Sequence, residues 1–249
     1  MELIEACLPI AGATEGDLEK KLKFLQRIGI HDLIFSDFFG LRNFNQQVEG
    51  FELPIGRLNV ISRPNTESIK MTWNIISSLD SFTIFLQHNN FVGDDEFKDA
   101  LYHAFSLTDN IGCAFEGEAL ITFPLDDMIQ TLQDEFKVNC FLILDSEGLL
   151  IPNKIFRCLK TLRSKTLKGS QILYFPNDSY TFGLITALYA MRLKIDGLVG
   201  SAIKEKCNNP KIIDLIKLHL LYQQKKDGLY SKHLITLLDH VFESFVMDR

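Results

Sequence analysis

The chain has 249 residues, 46% of them hydrophobic and 23% charged, with a formal net charge of −6. That length suits one domain with a large core, and the composition excludes a disordered chain or a disulfide scaffold. The negative balance offers no basic patch to nucleic acid or to an anionic membrane, so neither is an expected partner.

In chain order, Leu3–Leu8 reads as a first short strand. Thr14, with Glu15 and Asp17 behind it, opens a helix whose Leu18, Leu22, Leu25 and Ile28 recur at helical spacing, and Gly29 ends it. His31–Asp37 is a second strand, followed by a short helix. Arg57–Arg63 is a third, closed by Pro64. The next helix starts at Asn65 or Thr66 and carries Ile69, Trp73, Ile76 and Leu79 on one face. Phe82–Leu86 is a fourth strand with a polar exit, and helix Asp94–Leu107 follows. Ile111–Phe115 ends in Glu116-Gly117, and Pro124 opens a helix to about Phe136. Cys140–Leu144 is a sixth strand, a helix starts at Pro152, and Ile172–Phe175 is a seventh strand. Helix Tyr180–Leu193, strand Ile195–Val199 and helix Asn209–Gln224 complete the series.

Short apolar strands alternating with amphipathic helices predict a parallel α/β fold. Eight such units in this length predict a (β/α)8 TIM barrel, one domain over residues 1–249 with a helical extension at 229–249. Within that extension, Ser231–Val246 presents Leu234, Leu237, Leu238, Val241, Phe242 and Phe245 on a broad apolar face. It stands outside the eightfold count, either packed on the barrel or joining copies or partner subunits. No glycine-rich phosphate loop occurs.

The five cysteines, Cys7, Cys113, Cys140, Cys158 and Cys207, form no CxxC pair. They read as reduced thiols, mostly in the core, with Cys207 in a polar loop. The N-terminal residues Met1–Glu5 lack the basic and apolar regions of a signal peptide. No apolar run approaches the roughly 20 residues that span a bilayer. The expected location is the cytoplasm.

In such a barrel the site lies at the C-terminal ends of the strands. Asp37, Arg63, His88, Glu116, Asp145 and Asp178 stand there and are the expected lining of a ligand pocket. Each has a plainer reading. Asp145 and Asp178 cap the helices that follow, Arg63 pairs with a neighbouring carboxylate, and His88 is a loop histidine. Glu116 precedes Gly117, a sign of a tight turn where the backbone approaches something closely.

Between residues 110 and 215 the order of motifs resembles the pyruvate carboxyltransferase-like metal-dependent barrels. These include 3-hydroxy-3-methylglutaryl-CoA lyase, isopropylmalate and homocitrate synthases, and 4-hydroxy-2-oxovalerate aldolase. Cys113-Ala114-Phe115-Glu116-Gly117 is similar to the lyase's C-P-Y-E-G. Asp145-Ser146-Glu147-Gly148 with Pro152 is similar to D-T-x-G-x-x-x-P. Asn177-Asp178-Ser179 with Gly183 and Ala187 is similar to N-D-T-x-x-G…A. Ile195-Asp196-Gly197 and Glu205–Asn209 are similar to I-D…G-E-R-x-G-N. The first half matches only in rhythm.

The resemblance implies a divalent cation held by the Asp of R-D-G, the histidines of H-x-H and an Asn. Here Ile10-Ala11-Gly12 and Tyr174-Phe175-Pro176 stand in the first two places, and only Asn209 matches. The Arg that polarises the substrate carbonyl is replaced by Ile10. Alanine and proline have no donor atom and tyrosine is a poor ligand for a hard cation. Asp37 or Glu116 rebuilding a metal site is a less favoured alternative. The expectation is a barrel without metal or cofactor and without classical carbon–carbon lyase activity, binding a small carboxylate or acyl ligand or serving as a partner protein, with Asn209 counted in the pocket.

One alternative is an active carbon–carbon lyase or aldolase on a 2-oxo acid or acyl-CoA, with a rebuilt site. Arg63 then binds a carboxylate and His88, Glu116 or Asp145 is the base. Lys204 is the nearest candidate for a Schiff base. Another is a barrel whose role is association, with Ser231–Val246 as the contact for a homo-oligomer or partner subunit.

Overall fold

A computed structural model describes residues 1–6, 15–27, 29–47, 56–88, 94–122, 126–178, 180, 182–201, 210–212 and 214–219. Strands β1 (Glu2–Ala6), β2 (Asp32–Phe35), β3 (Leu58–Ser62), β4 (Phe82–His88), β5 (Ile111–Glu116), β6 (Cys140–Leu144), β7 (Gln171–Phe175) and β8 (Gly197–Gly200) form a closed barrel in sequence order. All neighbours are parallel, and closure is made by β1 on β8 with Ile4 opposite Val199. The chain is therefore a (β/α)8 barrel, as the alternation predicts. Among the described residues no helix is long and apolar enough to cross a membrane.

The strands sort their side chains into two cores by alternation. Ile4, Ile34, Ile61, Phe85, Ala114, Leu142, Leu144, Leu173 and Val199 fill the barrel interior. Leu33, Val60, Ile84, Phe115, Phe141, Ile143, Ile172 and Tyr174 pack outward under the helices. This division fixes which residue at each strand end looks into the mouth.

The helices are α1 (Glu15–Arg27), α2 (Phe38–Gln47), α3 (Thr66–Ile76), α4 (Asp94–Phe105), α5 (Gly117–Thr122), α6 (Asp126–Asp134), α7 (Pro152–Lys165) and α8 (Gly183–Arg192). Helix α1 ends at Gly29, where the N–H groups of Gly29 and Ile30 return to the carbonyls of Gln26 and Leu25. Asn65 caps α3, its side chain accepting from the Ser68 N–H at 2.8 Å. Leu79, expected on the apolar face of α3, lies beyond its end and is exposed.

Besides shifts of strand ends, such as β4 running on to His88, three differences from the sequence expectation stand out. A separate helix, α5, follows β5 directly, and its Glu118 pairs with Lys154 of α7. Strand β8 starts two residues later than expected, because Asp196 is used as a bracket. Its carboxylate accepts from the Ile172 N–H at 2.7 Å and pairs with Arg163 at 2.8 Å. Helix α8 starts at Gly183, three residues late. The expected pairing of β8 with a following helix begins as expected, with residues 212 and 214–219 helical. The extension at 229–249, with Ser231–Val246, lies outside the described residues.

Candidate functional site

Counting by two from the interior core locates the mouth. Beyond Phe85 lies Gln87, beyond Ala114 lies Glu116, beyond Leu144 lies Ser146 and beyond Phe175 lies Asn177. These four groups are joined. Gln87 Nε2 donates to Glu116 Oε1 at 3.2 Å, and Ser146 Oγ donates to the same oxygen at 2.6 Å. The Ser146 N–H reaches Glu116 Oε2 at 3.4 Å, and Asn177 Nδ2 donates to the Ser146 carbonyl at 2.8 Å. A polar arc thus crosses the ends of β4, β5, β6 and β7, over an apolar floor of Phe85, Ala114, Leu144 and Phe175. Glu116 is its central acceptor and its one carboxylate.

The six described candidates from the sequence separate into three groups. Glu116 is in the arc. Arg63, two residues beyond interior Ile61, falls on the mouth side of β3, is exposed and has no ion-pair partner among the described residues. Asp37, His88, Asp145 and Asp178 are placed elsewhere. Asp37 caps α2, accepting from the Gly40 N–H at 2.7 Å. His88 lies in β4 with the outward parity of Leu86, buried under α4. Its ring stands edge-on to Phe97 at 4.9 Å and tilted to Phe115 at 5.6 Å. It faces the helix layer, so the expectation of His88 in the pocket is corrected.

Asp145 also faces outward, one residue past interior Leu144. Its Oδ1 accepts from the Leu150 N–H at 3.2 Å, and the Gly148 N–H turns back to the Asp145 carbonyl at 3.3 Å with Gly148 at φ 72°. The Asp-x-x-Gly pattern is thus a loop anchor, and Asp145 holds the β6–α7 loop from behind the sheet. Burial pushes its carboxyl above the usual carboxylate range, and nearby Glu116 adds to the rise, while the N–H groups of Leu150, Leu149 and Asn177 oppose it. Asp145 Oδ2 is buried without a hydrogen-bond partner among the described residues.

Asp178 binds the start of α8, its Oδ1 accepting from the Gly183 N–H at 2.9 Å. A Cβ at Gly183 would lie 2.8 Å from Pro210 Cγ, 2.9 Å from Asp178 Oδ1 and 3.0 Å from the Asn177 carbonyl. The glycine therefore lets three segments close together, and α8 begins where that contact is made. The expectation that Glu116-Gly117 marks a close approach is met in the same way. Leu150 of the next loop sits where a Gly117 side chain would be, and Cys158 Sγ contacts the Gly117 carbonyl at 3.2 Å.

Tyr174 and Pro176 do not stand in the mouth. Tyr174 is fully buried on the helix side, where its hydroxyl donates to Thr186 Oγ1 at 3.0 Å. The mouth-side pair on β7 is Phe175 and Asn177. Asn209 and Ile10-Ala11-Gly12 lie outside the described residues, as do Lys204, Cys7 and Cys207. Among the described residues, no three His, Cys, Asp or Glu side chains come together. Sequence reading missed Gln87, Ser146 and Asn177 as site residues. The signal was present in the period of two within each strand, counted from the buried Phe85, Leu144 and Phe175.

At the opposite end of the barrel, a cavity of about 680 Å³ is bordered by Glu2, Arg57, Thr83, Cys140, Gln171 and Asp196 among others. Gln171 ties this end together, accepting from Arg57 at 3.3 Å and Cys140 at 3.4 Å and donating to Glu2 at 3.1 Å. Side chains that satisfy one another at the N-terminal face hold a barrel closed. The polar arc at the mouth is the better candidate site.

No family model matches the chain and no curated protein is significantly similar to it. Solved structures do share its shape. The N-terminal domain of a candidate aldolase from Bacteroides vulgatus is 14% identical, with 99% of this chain and 86% of that chain covered at a TM-score of 0.67. The carboxyl transferase domain of Rhizobium etli pyruvate carboxylase is 14% identical, with 99% and 47% covered and a TM-score of 0.69. The same domain solved with pyruvate gives 14%, 98%, 47% and 0.68, and with oxalate 14%, 99%, 47% and 0.68. The chain spans about half the length of those carboxyl transferase chains. Its fold is the closed (β/α)8 barrel that these structures share.

Proposed function

We propose that the protein is a divergent barrel of this kind that binds a small carboxylate or acyl compound at its mouth without a resident divalent cation. The observation that carries this is the joined arc of Gln87, Glu116, Ser146 and Asn177 over an apolar floor. A hard cation favours six or so oxygen ligands rich in carboxylate. The arc has one carboxylate, and one of its oxygens already accepts from two side chains. That donor set does not fit the metal. Without a cation or an arginine on the substrate carbonyl, nothing in the arc stabilises an enolate strongly. Binding is the reading that this chemistry supports.

In this reading Arg63 holds the ligand's carboxylate by charge-assisted hydrogen bonds. Ser146 and Gln87 turn their remaining polar capacity to a carbonyl or hydroxyl, held in place by Glu116. The solved complexes of the Rhizobium etli domain with pyruvate and with oxalate make these two compounds the first probes. The free thiols of Cys113, Cys140 and Cys158 suit a reducing compartment such as the cytoplasm.

Calorimetry on extensively dialysed protein tests the reading. Pyruvate or oxalate should bind without added cation, and Arg63→Ala should weaken binding by about 10- to 100-fold, the loss of a charge-assisted hydrogen bond. Binding that needs an added cation, or about one Mn or Zn per chain by elemental analysis, would overturn it. Metal-free cleavage of a 2-oxo acid would move the protein to the lyases, with Glu116 as the candidate base.

A further inference from the structure

The net charge of −6 is not spread evenly over the barrel. Residues 94–135 hold eleven carboxylates and a single Lys or Arg, whereas residues 149–195 hold eight Lys or Arg and one carboxylate. The strands follow one another in sequence order around the barrel, so these two stretches cover neighbouring sectors. Helices α4 and α6 clothe β4 and β5, and α7 and α8 clothe β6 and β7. An acidic face thus stands beside a basic one.

Each face also carries an exposed aromatic centre. On α4, Asp95, Asp99 and Tyr102 recur at helical spacing and are exposed, Tyr102 to 59%. The Tyr102 ring leans on Phe136, just past α6, with centroids 4.7 Å apart. Exposed Asp134 and Glu135 precede that phenylalanine. On α7, Lys154 reaches Glu118 of α5 on one flank, and Arg163 reaches Asp196 and the Lys194 carbonyl, just past α8, on the other. Arg157 and Lys160 stand between those flanks, exposed, with no ion pair among the described residues. Phe156, 46% exposed, lies seven residues before Arg163 and therefore on its flank, toward α8. On α8, Ile185 and Tyr189 are exposed one turn apart, with the Arg192 guanidinium 5.9 Å from the Tyr189 ring centre.

We propose that the acidic α4–α6 face of one copy docks on the basic α7–α8 face of a second copy. Charge complementarity selects that occupant. Like faces repel, so neither pairs with itself across a two-fold axis. Opposite faces bring Asp95 and Asp99 toward Arg157 and Lys160 while the two aromatic centres leave water together. Such a contact is head-to-tail, and each copy of a pair leaves one face for the next. The two faces are centred two of eight sectors apart, about a quarter turn, so with barrel axes parallel the series closes at about four copies. The contact uses the sides of the barrel and leaves the mouth clear. The inference is independent of the ligand reading.

Sedimentation of the full-length protein at about 0.05 M salt and up to about 100 μM should show species heavier than one chain, with association weakened severalfold at about 0.5 M salt. Two variants decide which faces meet. Arg157→Glu with Lys160→Glu removes the basic partner, and Asp95→Lys with Asp99→Lys removes the acidic one. Each variant should sediment as a single chain. An equimolar mixture should give a species of at least two chains, because the acidic face of the first meets the basic face of the second. The reversals lie at exposed positions, and melting of each variant close to that of the parent checks its fold. A parent that stays a single chain at every concentration overturns the proposal. So does a variant that still assembles alone, or a mixture of folded variants that stays monomeric.

Discussion

Asp145 and His88 show how one residue's parity decides its role. Asp145 stands directly after an interior leucine, so its side chain turns away from the mouth and into the loop behind it. Its folded-state pKa is raised by burial. The proton is therefore held more tightly in the folded chain, and the associated stability is present at low pH and lost as pH rises through the raised value. Asp145→Asn keeps the acceptor for Leu150 and removes the charge. Its melting temperature at pH 7 should equal or exceed that of the parent, the difference closing below about pH 4. Melting curves across that range check the sign, and a variant that loses more at pH 7 than at pH 4 would contradict it. His88→Phe is the parallel test of orientation. Its affinity for pyruvate or oxalate should stay within about twofold of the parent, while Glu116→Ala should weaken binding, because the arc loses its common acceptor.

At the scale of elements, the second half of the barrel is held by loops that interlock. Leu150 fills the space over Gly117, Asp178 grips the start of α8, and Pro210 closes on Gly183. These contacts explain why the motif residues at 145–152 and 177–183 occur in that order. They build the frame in which Ser146 and Asn177 are presented. Gly183→Ala forces a methyl group against a carbonyl and a proline ring, so it should cost about 1–3 kcal/mol. Chemical denaturation reads that cost. A ligand titration should show weakened binding as well, since Asn177 is displaced with the loop. A fully stable, fully binding alanine variant would show that the loops yield more easily than their packing suggests.

Taken whole, the barrel is sealed by its two concentric cores, and its thiols report on that seal. Burial raises the pKa of Cys140 and of Cys158 to about 12, and that of Cys113 higher still. At neutral pH these three should resist alkylation in the folded protein and react only as the barrel opens. Peptide mapping after timed exposure to iodoacetamide should show all three labelled together with the unfolding rate. Early labelling of Cys140 alone would reveal local opening at the N-terminal face, where it borders the cavity.

The sequence by itself determined the eight strands, their parallel order and most helix starts, because apolar periodicity and caps such as Asn65 act locally. It also marked Glu116-Gly117, Asp145–Gly148 and Asp178–Gly183 as special. What it did not decide was facing. Asp145 and Ser146 are adjacent in the chain, yet one binds a loop behind the sheet and the other joins the mouth. A single residue of strand register separates those fates, and only closure of the barrel fixes that register. The α5 helix was hidden for a related reason. A short helix becomes stable through contacts such as Glu118 with Lys154, which the sequence places 36 residues apart and only the packed barrel brings together.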